Sequence, residues 1–307
     1  MKAAIIHDYG SAIEIADIAK PILKDDSVII EVHAASLNPI DNILRSGVMQ
    51  EMLPLTFPHV MGYDVSGVVV EVGKNVSSVK VGDSVLARPN QEDAGAIAEY
   101  ARLKESELAI KPASLSHEHA ASVPLAGLTA WQALITNGNL KKGEKVLIHA
   151  GSGGVGTYAI QIAKQVGAYV ATTTSAKNAE LVKSLGADLV IDYKTQKFEE
   201  ELKDYDLVFD MLGGESILNS FKVLKKGGAM VSIKGHDEQD LASKYGVRFE
   251  AFFMSPDGSM LAELLALIDD GQLKPVVDSV FPLAQITDAY DRLDIGRTVG
   301  KIVVAIK

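Results

Sequence analysis

The stretch Lys145–Lys164, KVLIHAGSGGVGTYAIQIAK, decides the fold. Val146, Leu147 and Ile148 read as a short buried strand. The pattern Gly151-x-Gly153-x-x-Gly156 follows, and Val155, Ala159, Ile162, Ala163 and Val166 then recur at helical spacing. That order has a physical meaning. Gly151 permits the tight turn, Gly153 lets backbone amides approach a pyrophosphate, and Gly156 lets the helix pack closely on the strand. Free amides around Ser152, Gly154 and Val155 at the helix N-terminus then face the phosphates. A glycine turn without ligand could carry the same letters, but the strands and helices that follow in register favour a dinucleotide site.

Downstream the chain alternates: strand YVATTTS, helix NAELVKSLG, strand ADLVIDY, short helix FEEEL, strand YDLVFDML, helix ESILNSFKVL, strand GAMVSI. Alternation of this kind implies right-handed crossovers and a parallel, doubly wound sheet. Upstream, residues 1 to about 121 are rich in β-branched residues and glycine turns. The segments SVIIEVHAASL, DVSGVVVEVG and GDSVLAR suggest short strands closing a partly open barrel. PIDNILRSG reads as a brief helix or turn with Pro39 at its first position, and MQEMLPLTFP as a loop that could line a cleft. GLTAWQALITNG makes a helix ending at Asn137-Gly138. After the parallel sheet come a helix, MLAELLALIDDG, and a final strand, GKIVVAI, expected to return to the first domain.

With 307 residues the chain can hold two cores. A net charge of -10 without a basic stripe argues against nucleic acid as a partner. No apolar run reaches the about 20 residues that span a bilayer, and the N-terminus, MKAAIIHDYG, shows no secretory hydrophobic region, so a cytoplasmic, membrane-free protein is expected. Cysteine is absent, which removes disulfides, thiolate nucleophiles and Cys-ligated metal.

In this fold a residue about 20 positions after the fingerprint chooses between NAD and NADP. A carboxylate there would bind a ribose 2′-OH and repel a 2′-phosphate. The sequence offers Thr172, Thr173, Thr174 and Ser175, then Lys177, with the first acid at Glu180. Hydroxyls and one cation suit a phosphate, so NADPH is the expected cofactor, with Thr173, Ser175 and Lys177 as contacts. Tyr193, after the third strand, could add a hydroxyl. Lys177 as a solvated helix-start residue and Tyr193 as a packing aromatic are the plainer alternatives.

Several segments resemble the medium-chain dehydrogenase/reductase superfamily, in particular its zinc-free quinone oxidoreductase branch. They are NPID at 38–41, RSG at 45–47, GYDVSGVVVEVG from Gly62, VGDSV at 81–85, PLAGLTAW from Pro124, AGSGGVG from Ala150, SLGADLVIDY from Ser184, FDMLGG from Phe209, LKPVVD from Leu273 and the terminal GKIVV. The region from Gly246 to Asp278 is most similar to the alkenal/enone oxidoreductases of that branch. The resemblance implies an α/β protein: a central Rossmann domain over 122–271 and a discontinuous, mostly β, GroES-like catalytic domain over 1–121 and 272–307. It further implies a homodimer. Thr129 matches a position whose hydroxyl approaches the nicotinamide side. Leu212 and Ile233 match contacts to the nicotinamide ribose and ring, although sheet core explains them equally.

Alcohol-dehydrogenase members carry Cys and His where this chain has Asn38 and Tyr63. Zinc wants three ligands drawn from Cys, His and carboxylate. No metal is therefore expected, the improvised alternative being His33 and His59 with Asp64. Without a metal, reduction of an activated double bond is the easier chemistry. Hydride adds to the β-carbon of an α,β-unsaturated carbonyl, and an oriented donor stabilises the enolate oxygen. Asn38 and Tyr63 are the expected catalytic donors, alongside the cofactor's ribose hydroxyl, and quinones accept hydride on the same logic. Asn38 as a turn residue and Tyr63 as a strand aromatic are the alternatives. Two departures stand out. Met49 and Ile43 occupy positions where relatives carry Tyr, and Asn178 stands where enone relatives place the phosphate-binding Lys. The expected function is a zinc-independent NADPH-dependent reductase of quinones or enones. A 2-enoyl thioester reductase or a catalytically weak NADPH-binding regulatory protein are the rivals.

Overall fold

Valines and isoleucines at alternate positions of residues 27–36 build the central strand of the first of two compact units. The computed structural model describes residues 1–93, 95–234 and 238–307. One unit comprises Met1–Leu128, Ser255–Gly271 and Pro275–Lys307; the other comprises Thr129–Met254 and Gln272–Lys274.

In chain order the first unit supplies β1 (Lys2–Ile6), β2 (Glu14–Asp17), β3 (Ser27–Ser36), α1 (Pro39–Arg45), β4 (His59–Val60), β5 (Asp64–Val72), β6 (Ser84–Ala87), β7 (Tyr100–Lys104), β8 (Leu108–Ile110) and α2 (His117–Ala121). Helix α3 (Pro124–Trp131) carries the boundary. The second unit supplies β9 (Lys145–Ile148), α4 (Gly154–Val166), β10 (Tyr169–Thr174), α5 (Ala179–Ser184), β11 (Leu189–Asp192), α6 (Phe198–Glu201), β12 (Tyr205–Asp210), α7 (Glu215–Ser220), β13 (Leu224–Ser232), α8 (Gln239–Tyr245) and β14 (Arg248–Ala251). The first unit then resumes with α9 (Gly258–Asp269), β15 (Val277–Pro282), α10 (Ile286–Asp294) and β16 (Lys301–Ala305).

The second unit is the expected doubly wound sheet, in the order β11-β10-β9-β12-β13-β14, with every neighbouring pair parallel. Strand β9 carries the glycine turn at the middle of the sheet. Apolar runs on both sides of the sheet explain its burial: Leu147, Val208 and Met230 from the strands meet Ile217, Phe221 and Phe249 in one core. Helix α8 and strand β14 were absent from the sequence reading, and they extend the sheet to six strands.

In the first unit, β2-β1-β4 form a small antiparallel sheet. A larger sheet runs β15-β16-β3-β5-β6-β8, with β7 also paired to β3. The C-terminal strand does return here: β16 lies antiparallel to β3. Val28, Ile30 and Val32 from β3, Val65 and Val69 from β5, and Ile302 and Val304 from β16 are buried together. Each such side chain contributes roughly 1.5–3 kcal/mol by leaving water.

Two features depart from the expected organisation. The stretch Ser255–Gly271, expected within the Rossmann domain, packs in the first unit. Gly258 opens α9 there, and a Cβ on it would come within 2.4 Å of Leu108 O. The helix expected to end at Asn137-Gly138 widens over Gln132–Asn137 into a π-helical turn. It closes with the Gly138 N–H donating to Ala133 O at 2.8 Å, a five-residue span that marks the wider coil.

Candidate functional site

At the carboxyl ends of the parallel strands, Ala150 takes a left-handed φ of 50° and turns the chain out of β9. Gly153 caps α4. The glycines are required by contact: a Cβ on Gly151 would lie 2.0 Å from Thr172 Oγ1, and one on Gly156 would lie 2.4 Å from Ala150 O. The helix can therefore approach the loop only through bare backbone, and Ser152, Gly153, Gly154, Val155 and Gly156 follow one another over the turn and first residues of α4. The loop is braced from behind. Gly151 N–H donates to Thr173 O at 3.0 Å, and Thr173 Oγ1 accepts from Ala150 N at 3.1 Å.

Beside that turn, Ser152 Oγ accepts from Thr174 Oγ1 and from Asn178 Nδ2, each at 2.9 Å. With both lone pairs used, the Ser152 hydroxyl keeps its proton for an outside acceptor. Ser175, buried just past β10, accepts the Asn178 N–H on its backbone carbonyl at 2.9 Å. Lys177 is exposed on the following turn. Tyr193 is 59% exposed, and its N–H donates to Thr174 O at 3.3 Å. Hydroxyls, an amide and a lysine thus border one corner. Asp192, paired in register with Thr174, has its carboxylate engaged by Lys194 N–H and the Thr195 hydroxyl of its own turn.

The expected residues do not all sit alike. Thr173 faces away from this corner. Its Oγ1 also lies 3.1 Å from His149 Nδ1, while His149 Nε2 lies 2.9 Å from Ser220 Oγ. Burial pushes the His149 imidazole down to about 4, so it bridges the two hydroxyls as a neutral ring. Leu212 follows β12, half exposed, its N–H on Asp210 Oδ1 at 3.3 Å. Ile233 follows β13, its N–H on Asp210 O at 3.2 Å. Both therefore stand at the same sheet edge as the glycine turn. Thr129 is buried in α3.

In the first unit a second cluster forms at the ends of four neighbouring strands. Antiparallel register sets Val303 opposite Ser36, which brings Lys301 to Asn38; it also sets Ser36 opposite Asp64 and Val65 opposite Ala87. Lys301, 5% exposed, donates to Leu37 O at 2.7 Å, to Asn38 Oδ1 at 2.5 Å and to Asp64 Oδ2 at 3.1 Å. Asp64 Oδ2 also accepts Asn38 Nδ2 at 2.8 Å and Ser36 Oγ at 3.0 Å, and Oδ1 accepts Leu125 N–H at 2.7 Å. Lysine can only donate and a carboxylate can only accept, so the Asn38 amide has one allowed orientation. Asn38 and Tyr63 are each 2% exposed.

Tyr63 gives its proton to Gln91 Oε1 at 2.6 Å, and burial raises its phenol well above the ordinary range. The Arg88 guanidinium lies over the Tyr63 ring, 4.9 Å from its centre. Asp41, buried in α1, accepts the Asn38 N–H on Oδ2 at 2.8 Å while Oδ1 has no partner. Burial pushes that carboxyl up to about 7.

Sequence reading missed Lys301, Arg88, Asp41 and the bonding role of Asn178. Asn178 carried a local signal, as the residue standing in a lysine's place, and Asp41 and Lys301 lie inside the NPID and GKIVV segments without being singled out there. The donor set does not suit zinc. An ammonium holds Asp64 and the Asn38 oxygen, so a cation arriving there would meet a charge of its own sign. His33 stacks on His117 at 4.3 Å instead of joining Asp64. His59 lies in the small sheet, and burial lowers its pKa to about 4. Among the described residues no group of three or more His, Asp or Glu is arranged to hold a metal ion, and no helix is long and apolar enough to cross a membrane.

Two family profiles match the chain, one described as alcohol dehydrogenase GroES-like domain over residues 24–113 and one as zinc-binding dehydrogenase over residues 185–304. The 2-methylene-furan-3-one reductase of Solanum lycopersicum is 39% identical, covering 99% of this chain and 79% of the relative. The chloroplastic NADPH-dependent alkenal/one oxidoreductase of Arabidopsis thaliana is 38% identical with the same coverage. Among solved structures, the quinone oxidoreductase from Coxiella burnetii superposes with a TM-score of 0.94 at 35% identity, over 100% of this chain and 99% of that one.

Proposed function

This chain belongs to the medium-chain dehydrogenase/reductase superfamily, among its quinone and alkenal/one oxidoreductases, and on that premise we propose that it is a zinc-independent, NADPH-dependent reductase of quinones or of the C=C bond of α,β-unsaturated carbonyls. It is at the coarser level an NAD(P)H-dependent oxidoreductase of that family. The observation that carries the finer reading is the corner built by Ser152, Thr174 and Asn178. The spare Ser152 proton and the exposed Lys177 are offered to a 2′-phosphate, and the one carboxylate in register, Asp192, is turned to its own loop.

When bound, NADPH supplies the hydride. The residues of the chain do the rest. The glycine turn and the first amides of α4 would hold the pyrophosphate, Lys177 and Tyr193 would take the 2′-phosphate, and Thr129, Leu212 and Ile233 would contact the nicotinamide end. Asn38, pinned by Lys301 and Asp64, keeps one amide N–H beyond the one given to Asp64, whereas Tyr63 has no proton left and serves as the ring beneath Arg88. The α-carbon takes its proton from solvent. A cytosolic homodimer is part of the same reading.

The test is NADPH and NADH oxidation by chelator-treated protein against short enones, enals, quinones and an enoyl-CoA. Fast NADPH-selective turnover of enones or quinones, unchanged by chelator, is expected. NADPH binding with no turnover of any acceptor would refute the reading, and turnover confined to the thioester would replace it.

A further inference from the structure

Among the polar groups gathered at the four strand ends, most have spent their protons. Lys301 places all three on Leu37, Asn38 and Asp64, Tyr63 gives its proton to Gln91, and Asn38 gives one of its two to Asp64. Arg88 differs. It follows β6 directly, and the pairing of Val65 with Ala87 carries it across from Asp64. Its Nη1 donates to Pro89 O at 2.9 Å. Its Nε is buried without a hydrogen-bond partner, and among the described residues no carboxylate lies within ion-pair distance of its guanidinium. Of the carboxylates that act on it, Asp64, Glu107 and Asp41, the first is held by Lys301 at 3.1 Å, the second by Asn90 Nδ2 at 2.7 Å and the third by the Asn38 N–H at 2.8 Å.

A buried N–H with no acceptor costs about 1–3 kcal/mol, more on a charged group. A fold that keeps such a group beside a fixed ring leaves it ready for an acceptor from outside. Nε–H and Nη2–H lie along one edge of the guanidinium plane and present two parallel donors. Tyr63 beneath it and Pro89 O at its other end fix the direction of that edge. Nothing in the local sequence, ARPNQ, marks it, because the ring beneath it belongs to Tyr63, in the turn just before β5.

We propose that Arg88 is a catalytic residue, whose Nε–Nη2 edge binds the acceptor's carbonyl oxygen and holds the negative charge that hydride addition places there. This rests on the reductase reading above. In an enone the β-carbon gains a hydride and a new C–H bond. The C=C electron pair moves to form a C=C bond to the carbonyl carbon, the carbonyl π pair goes to oxygen as an enolate, and NADPH is oxidised to NADP⁺. A solvent proton then bonds to the α-carbon and the carbonyl re-forms. In a quinone the same edge meets the phenolate oxygen. The guanidinium keeps its proton throughout, which suits a group that is charged across the working pH range.

The experiment compares wild type with R88M and R88K. Loss of an oxyanion donor lowers kcat by about 10²–10³, so R88M is expected to lose that factor in kcat with an unchanged Kd for NADPH. R88K, which keeps the charge without the two-donor edge, is expected to fall between. p-Nitrophenol added to NADP⁺-loaded protein gives a readout that needs no turnover. Wild type should bind it as the yellow phenolate at a pH where it is mostly neutral in solution, and R88M should not. Near-UV circular dichroism reports folding, and R88K carries the comparison if R88M is unfolded. A kcat for the folded variant within threefold of wild type, or phenolate bound equally by both, would overturn the role of Arg88. A wild type that turns over no acceptor, yet binds phenolate in an Arg88-dependent way, would overturn the reductase reading and support Arg88 as an oxyanion binder.

Discussion

Replacing Lys301 by Met keeps the length of the side chain and removes its charge. The ammonium is 5% exposed and serves three acceptors, one of them the Asp64 carboxylate, which is fully buried. Breaking one partner of a buried pair costs about 3–5 kcal/mol, because the remaining charge stays in the low-dielectric interior. Ser36 Oγ, Asn38 Nδ2 and Leu125 N–H would still reach Asp64, which places the expected loss toward the lower end, about 3 kcal/mol. For a unit of this size each kcal/mol shifts Tm by roughly 2–4 °C, so K301M is expected to melt about 6–12 °C below wild type. The assay is thermal and urea unfolding by circular dichroism at pH 7. The double variant K301M/D64N removes both charges, and it should be more stable than the sum of the single losses by about 1–3 kcal/mol. A single variant melting within 2 °C of wild type, or strict additivity in the double, would refute the view that these two charges hold each other.

Three further outcomes follow from other contacts. Gly156→Ala puts a Cβ 2.4 Å from Ala150 O; overpacking of this kind costs about 1–3 kcal/mol, and calorimetric titration should show NADPH affinity falling at least tenfold. Asn178→Asp would set a carboxylate against the Ser152 corner, so kcat/KM with NADPH should drop about 10–100-fold while NADH changes little, and an unaltered cofactor ratio would remove Asn178 and its neighbours from selectivity. Asp41 has a folded pKa raised by burial to about 7, above its unfolded value near 3.9. The folded state therefore binds the extra proton, and the stability this contributes is full below about pH 4 and lost as pH rises through 7. Asp41→Asn should flatten that fall, by at most about 4 kcal/mol between the two limits, as read from urea midpoints across the range.

The parts of the molecule that sequence shows well are those governed by short-range sterics. The glycines at 151 and 156 are fixed by atoms a few residues away or on the adjoining strand, and strands β9 to β13 announce themselves by apolar runs. Thr172, Thr173 and Thr174 read as one hydroxyl cluster, yet strand alternation sends Thr174 to Ser152 and Thr173 to His149. A period of two was there to be used. Helix α9 is apolar enough to join either unit, and its letters carry no record of which one it meets. Strand β14, RFEA, is too short and too mixed to stand out. The cluster at Asn38 and Asp64 was half legible: those two residues were singled out, but their partner Lys301 lies 237 positions after Asp64, inside a strand whose alternation would assign a lysine at its start to solvent. Arg88 was illegible for the same reason.

That separation also orders synthesis. The second unit is almost continuous, from Thr129 to Met254, and its strands pair with neighbours only a few tens of residues away, so it can be complete while the ribosome is still reading the remainder. The first unit cannot. Until β16 emerges, the Ala34–Ser36 end of β3 has an open edge and Asp64 lacks its lysine, although both were made early. A nascent chain stalled before Lys301 would therefore carry a finished nucleotide fold joined to an unsealed β sheet, the kind of exposed edge that chaperones recognise and that aggregates when they do not.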